Sequence, residues 1–153
     1  MRNYYTVIPA VYLVLEKENK ILLHLRSNTG FQDGNYSFVA GHVEADETFL
    51  QAVVREAKEE ANINIKLEDL HCFHIMHQKR HQERIDIFFS TAKWEGEVKN
   101  MEPEKCGGLD WYEKDKLPEN VIPYIQQILK YWNEGVLTSA VVTKDGKDVW
   151  SQC

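Results

Sequence analysis

The sequence predicts an α/β fold built as one domain over residues 1–153, and three observations carry that prediction. At 153 residues and 43% hydrophobic, the chain can bury one core without disulfides or a structural metal. Several apolar runs have the length and the Val, Ile, Phe and Tyr content of strands. Two segments, Thr48 to Ala61 and Pro123 to Glu134, instead repeat their apolar residues at helical intervals.

From the N-terminus, Val7 to Leu15 is apolar and strand-like, Glu16 to Lys20 is a polar turn, and Ile21 to Arg26 resumes the strand style, which predicts a hairpin. The loop SNTGFQDGNYS gathers Gly30, Asp33, Gly34 and Asn35 as turn formers before a short strand, Phe38 to Ala40, that stops at Gly41. Thr48 and Gln51 have capping-box spacing, and Phe49, Ala52, Val53 and Ala57 then fall on one helical face. Asn62, which tolerates a left-handed backbone, is the expected stop. Strands are expected at Leu67 to Gln78 and Arg84 to Trp94 around the charged turn KRHQE, followed by a loop from Gly96 to Gly108 and a short segment, Leu109 to Glu113. Beyond Pro118, the helix that starts at Pro123 turns Ile125, Ile128, Leu129 and Trp132 to a core and ends at Gly135. The last stretch, VLTSAVVTKDGKDVWSQC, is either a hairpin about Asp145-Gly146 or a loosely attached tail. No internal repeat, low-complexity tract or interdomain linker interrupts this order.

Charge and cysteine usage then narrow the function. A formal charge of -6 argues against a sequence-independent grip on nucleic acid, which needs a dense positive surface. An acidic protein can still handle phosphates if a divalent cation mediates. Cys72, Cys106 and Cys153 are widely spaced, odd in number and without a CxxC pair, which fits reduced thiols in a cytoplasmic protein rather than a disulfide framework or a zinc site. The N-terminal MRNYYTVIPAVYLVL has no basic region, long apolar stretch and small-residue cleavage site, and no apolar run reaches a membrane span, so no membrane partner is expected. The chain is expected to work as a monomer or a homodimer.

The chemistry is concentrated in GHVEADETFLQAVVREAKEEANI, from Gly41 to Ile63. Glu56, Glu59 and Glu60 are related by i, i+3 and i+4 on the predicted helix, so the three carboxylates share one face. Three anions that close repel one another, and Mg²⁺, which prefers a few carboxylates plus waters and phosphate oxygens, would relieve the repulsion. Taken alone, EAKEE reads as a solvated acidic face; its register with Gly41, Glu47 and Arg55 favours a metal site. Arg55 precedes Glu59 by four residues, but Glu47, just ahead of the helix, is a second partner that would pin the loop to the helix. His71, His74, His77 and His81 lie in a predicted strand and turn, where their spacing does not gather the rings into a metal site.

The same segment resembles the Nudix box: Gly, five residues, Glu, seven residues, Arg-Glu, an aliphatic residue, any residue, Glu-Glu, any residue, Gly and an aliphatic residue. Gly41, Glu47, Arg55, Glu56, Glu59 and Glu60 fall in register, with Ala57 and Ile63 at the aliphatic positions. Six such matches would coincide by chance on the order of once in 10⁷ starts. One position departs, Asn62 standing where the box has its second Gly, a mild change because Asn also adopts left-handed backbone. The order of elements resembles the Nudix fold from about Tyr4 to Glu134, which implies an α/β/α sandwich around a central mixed sheet.

The resemblance implies hydrolysis of a phosphoanhydride in a nucleoside diphosphate-linked substrate, with Mg²⁺, or Mn²⁺ in its place. Glu56, Glu59 and Glu60 match the metal-binding positions, and the Gly41 carbonyl is a further candidate ligand. Glu47 and Arg55 match structural positions. The general base is a box glutamate, Glu56 or Glu59, or a later carboxylate, for which Glu102 and Glu104 are the candidates. By residue type, Arg26 is a candidate for a substrate phosphate, against a strand-end ion pair, and Phe31, Tyr36 and Trp111 are candidates to stack on a base. The compact chain resembles MutT-type enzymes, which implies a nucleoside triphosphate, with a normal or an oxidised base, cleaved to a monophosphate and pyrophosphate. The proline of ADP-ribose hydrolases and the tyrosine of dinucleoside polyphosphate hydrolases are absent from their window, here Gln78 to Arg80. ADP-ribose or another nucleotide sugar is the alternative substrate, and a non-catalytic nucleotide-sensing module the alternative of another class.

Overall fold

A computed structural model describes residues 1–152. Cys153, one of the three thiols expected to be reduced, lies outside the described residues; Cys72 is an exposed free thiol and Cys106 a buried one. The strands are β1 (Ile8–Lys17), β2 (Lys20–Arg26), β3 (Tyr36–Ser37), β4 (Val39–His42), β5 (His71–Lys79), β6 (Glu83–Thr91), β7 (Cys106–Glu113), β8 (Thr138–Lys144) and β9 (Lys147–Gln152), with helices α1 (Phe49–Ala61) and α2 (Pro123–Glu134).

The sheet is mixed, in the order β3-β2-β1-β6-β5-β8-β9, with β4 also paired to β1 and β7 to β2. β1 runs parallel to β6 and antiparallel to β4, and β5 runs parallel to β8. Strand alternation then separates two cores. Val11, Leu13 and Leu15 of β1 join Ile87 and Phe89 of β6 on one face, against Ala52, Val53, Ala57 and Ala61 of α1. Ala10, Tyr12 and Val14 join Phe88 on the other face, against Tyr124, Ile125, Ile128 and Tyr131 of α2. One helix layer on each face makes the α/β/α sandwich expected from the resemblance. It also explains why β1 reads as a continuous apolar run, since both of its faces are covered.

The local signals for the helices act as expected. The Thr48 hydroxyl accepts from the Gln51 N–H and the Gln51 side chain accepts from the Thr48 N–H, while Asn62 ends α1 at φ 60° and ψ 23°. Gly135 ends α2 in the same left-handed conformation. The final stretch is the hairpin β8–β9 about Asp145-Gly146, not a loose tail.

The expected β1–β2 hairpin forms, with direct pairing at Glu16–Ile21 and Lys17–Lys20, beyond which the two strands diverge into different partners and open the sheet. Three expectations are corrected. The strand begun at Leu67 starts at His71, because Leu67–Asp69 form a 3₁₀ turn. The short strand after the loop does not stop at Gly41 but continues to His42, opposite Ala10. Phe49, placed on the core face by helical spacing, is exposed, because α1 begins there, beyond the edge of the core it covers. Among the described residues, no helix is long and apolar enough to cross a membrane.

Candidate functional site

Where β1 and β2 diverge, a cleft of about 550 Å³ opens beside α1. Its walls come from β1 (Tyr12), β2 (His24 and Arg26), β4 (Ala40 to His42), the acidic face of α1, and the loop that carries Glu102 and Lys105. That loop is drawn to α1 by its own backbone: the Met101 N–H donates to the Glu60 carbonyl at 3.2 Å and the Lys99 N–H to that of Ala61 at 3.0 Å. The Ser27 N–H donates to the Lys105 carbonyl at 2.9 Å, closing the opposite side.

Arg55 organises the entry to α1. Its Nε and Nη2 donate to the two oxygens of Glu47 at 3.0 and 2.7 Å, and Nη2 also donates to the His42 carbonyl at 3.0 Å. The fork–fork pair is the geometry in which an arginine holds a carboxylate best, and it holds the Glu47 carboxyl below its usual range. Glu47 in turn accepts from the Glu44 N–H at 2.8 Å, so the β4–α1 loop is tied to the helix from both ends. The remaining Nη1 reaches Glu56 at 2.7 Å and Glu59 at 3.1 Å.

The three helix carboxylates lie at graded depth. The Glu59 side chain is 55% exposed at the rim and that of Glu56 12% exposed in the wall. Glu60 accepts from the Ala40 N–H at 3.2 Å. Burial raises the Glu56 carboxyl above its usual value, and burial together with the neighbouring Glu56 pushes Glu60 up to about 8. Two carboxylates that resist ionisation this close together fit a cation: its charge would favour the ionised forms that burial disfavours. Gly41 is where the fit is tightest, since a Cβ there would stand 1.8 Å from Oε1 of Glu56. A glycine at this position leaves room for a carboxylate against the β4 backbone, and Gly41, Glu56, Glu59 and Glu60 all line the one cleft. Among the described residues, no three His, Cys, Asp or Glu side chains already enclose a point as metal ligands do, with Arg55 engaging two of the carboxylates.

Among the sequence candidates, Gly41, Glu56, Glu59, Glu60, Arg55, Glu102, Arg26 and Phe31 line the cleft. Glu102 stands close enough to raise both Glu56 and Glu60. Among the described residues, Arg26 makes no strand-end ion pair; its Nε donates to the Phe31 carbonyl at 2.7 Å and its Nη2 to the Thr29 hydroxyl at 3.0 Å, and its guanidinium lies 5.6 Å from the Phe31 ring centre. Asp33 accepts from the N–H groups of Thr29 and Gly30, so this loop is internally braced.

The structure leaves three candidates outside the cleft. Glu104 is exposed beyond it, with its backbone carbonyl accepting from the Asn28 side chain at 2.9 Å. Tyr36 packs against the α2-side core, its hydroxyl accepting from Tyr112 at 2.8 Å. Trp111 stacks on Trp94, 5.7 Å between ring centres, in a separate depression. The four histidines do not converge: His74 is buried between the Val136 carbonyl and the Ser139 hydroxyl, and His77 pairs with Glu83.

Sequence reasoning missed His24, Lys105, Tyr12, Tyr124 and Arg84, all of which line the cleft. Arg84 is held by Asp86 at 2.9 Å and by the Tyr12 hydroxyl at 2.8 Å, with Asp86 fully buried. The signal was present: a His inside KILLHLR and an Asp inside ERIDIFF are polar breaks in apolar strands, which burial tolerates only when they are paired or used.

Comparison with known proteins agrees with this architecture. The NUDIX domain matches residues 6–132, and the chain belongs to the Nudix family. The NAD-capped RNA hydrolase NudC of Photorhabdus laumondii is 30% identical over 118 residues, covering 76% of this chain and 43% of that protein. The ADP-ribose pyrophosphatase of Methanocaldococcus jannaschii is 45% identical over 64 residues, 40% of this chain and 37% of that protein. The chain therefore spans less than half the length of these curated relatives. In three dimensions, the MutT protein of Bacillus halodurans superposes with a TM-score of 0.78 at 21% identity, over 95% of this chain and 97% of that one, a likeness of fold.

Proposed function

We propose that this chain hydrolyses a phosphoanhydride bond in a substrate built on a nucleoside diphosphate, with a divalent cation, Mg²⁺ or Mn²⁺, held by Glu56, Glu59, Glu60 and the Gly41 carbonyl. The observation that carries this reading is one cleft that holds the Glu56, Glu59, Glu60 and Glu102 carboxylates together with the Arg26 and Lys105 cations. A purely acidic cleft would repel a diphosphate and a purely basic one would hold it without activating water. Bound at the glutamates, the cation supplies charge neutralisation on the phosphoryl oxygens and lowers the pKa of a water.

The chain's own groups do the rest. Arg55 and Glu47 hold the end of the β4–α1 loop, so the Gly41 carbonyl and the carboxylates keep their relative positions. Arg26 and Lys105, which line the same cleft, offset phosphate charge, and Phe31 offers an exposed ring to a base. Glu102 takes the proton of the attacking water; its place in the cleft wall supports this role over Glu104.

Within this substrate class, the missing proline and tyrosine marks at Gln78 to Arg80 favour a nucleoside triphosphate cleaved to a monophosphate and pyrophosphate. The two curated relatives instead favour an ADP-linked substrate, since NAD and ADP-ribose both join a nucleoside diphosphate to a further group. Incubation with Mg²⁺ and nucleoside triphosphates, ADP-ribose, NAD and dinucleoside polyphosphates, with products resolved, separates the two. Tight binding of one compound with turnover of none would favour a nucleotide sensor and sink the enzymatic reading. Glu60→Gln, which keeps size and removes charge, is expected to lower turnover about a hundredfold or more with folding retained; unchanged turnover would show that the metal helix is misassigned.

A further inference from the structure

One buried polar atom in the cleft wall has no partner. Among the described residues, the Nε2 of His24 is the buried side-chain nitrogen or oxygen without a hydrogen bond. Burial and the Arg26 guanidinium lower the His24 pKa, which keeps the ring neutral, with one nitrogen carrying a proton. Native chains satisfy nearly all such groups, and an exception calls for a reason such as a ligand or a bound water.

The surroundings narrow the reason. His24 is 5% exposed on β2, two residues before Arg26, and both line the cleft with Glu60 and Glu102. By strand alternation its side chain shares the face of Leu22, which packs in the core beneath α1, so the ring stands on the side of the glutamates. A group that meets the glutamate-held cation and the Arg26 guanidinium together is an anionic phosphate. A hydroxyl or thiol at this place would not require both.

We propose that His24 is a substrate-binding residue whose Nε2–H donates a hydrogen bond to a phosphoryl oxygen of the bound nucleoside diphosphate. This rests on the functional reading above and adds a residue to it. His24 is part of the cleft wall, and in the proposed complex its ring turns about the Cβ–Cγ bond to present Nε2 to the ligand. The burial that leaves the nitrogen unpaired in the free chain strengthens the bond when the phosphate arrives.

His24→Phe tests this, because it keeps a flat ring and removes the unpaired nitrogen. The full-length variant is expected to melt at or above the wild-type temperature, since it no longer buries an orphan polar atom, and to bind ADP with Mg²⁺ roughly ten- to a hundredfold more weakly by calorimetry. Adenosine, which lacks the diphosphate, is expected to distinguish the two proteins by less than about twofold. ADP that binds both proteins equally, or binds neither, overturns the proposal, as does an equal loss for adenosine, which would make His24 a reader of the nucleoside. Should the variant not fold, ¹⁵N-histidine NMR of the wild-type protein decides: the His24 Nε2 signal must shift on addition of ADP and Mg²⁺, and a stationary signal overturns the proposal. A wild-type protein that turns over a substrate but shows no ADP difference in His24→Phe leaves the hydrolase reading standing without His24. A wild-type protein that turns over nothing removes the hydrolase reading, while the ADP comparison still decides His24.

Discussion

Single side chains in this cleft are held by contacts close enough that small changes should be felt. Gly41 is the sharpest case: the added methyl of Gly41→Ala would meet Oε1 of Glu56 at 1.8 Å and its carboxyl carbon at 2.1 Å, far inside contact distance. Glu56 would have to leave the wall, and its neighbours Arg55 and Glu59 would re-pair. The backbone of β4 needs no left-handed angle at Gly41, so the fold should tolerate the change. Gly41→Ala is therefore expected to melt near the wild-type temperature without metal but to lose most of the rise that Mg²⁺ produces through preferential binding to the folded chain, with turnover down about tenfold or more through misplacement. A variant that kept the full Mg²⁺-dependent rise would show that Glu56 does not reach the cation.

At the scale of elements, α1 is a rigid arm whose two ends have different duties. Its N-terminus is secured by the Thr48–Gln51 capping box and its C-terminus by Asn62, whose N–H closes onto the Ala57 and Lys58 carbonyls. The acidic residues sit in the last two turns, and Glu60 lies about 18 Å along the axis from Thr48. Thr48→Ala is thus expected to cost about 1 kcal/mol of stability, read as a lower denaturant midpoint with an unchanged slope, while turnover stays within about twofold. Lost turnover at unchanged stability would mean that the cap shapes the site itself. The loop from Gly96 to Lys105 contributes differently, because its backbone bonds to the end of α1 bring Glu102 to a helix with which it shares no sequence pattern.

Across the whole molecule, His74 joins parts far apart in sequence. Its neutral ring donates from Nδ1 to the Val136 carbonyl and accepts at Nε2 from the Ser139 hydroxyl, both at 2.7 Å, and stacks on Tyr131 of α2. One side chain of β5 thereby ties the end of α2 to β8 and its hairpin partner β9. Burial lowers the His74 pKa below the ordinary 6.5, so the unfolded chain takes up the proton first on acidification. The stabilising contribution is complete above pH 6.5 and is lost as pH falls towards the folded-state value. Glu60, raised to about 8, acts with the opposite sign between its ordinary 4.5 and 8, so the prediction lies in a difference. Wild type is expected to lose more melting temperature between about pH 7 and pH 5 than His74→Gln does; parallel pH profiles for the two proteins would refute the assignment.

Local order was legible because it depends on short-range physics. The caps of α1, the left-handed Asn62 and Gly135, the Asp145-Gly146 turn and the grouping of Glu56, Glu59 and Glu60 on one face follow from residue types a few positions apart. Gly41, Glu47 and Arg55 were legible in another way, through the resemblance of their spacing to the Nudix box. The divergence of β1 from β2, the arrival of Glu102, and the exclusion of Tyr36, Trp111 and Glu104 from the cleft were not legible. Each depends on which distant strand or loop wins a pairing, and neither spacing nor composition encodes that competition. His24 belongs to both levels: its polarity inside an apolar strand was visible in the chain, but only the packing around it revealed a nitrogen without a partner.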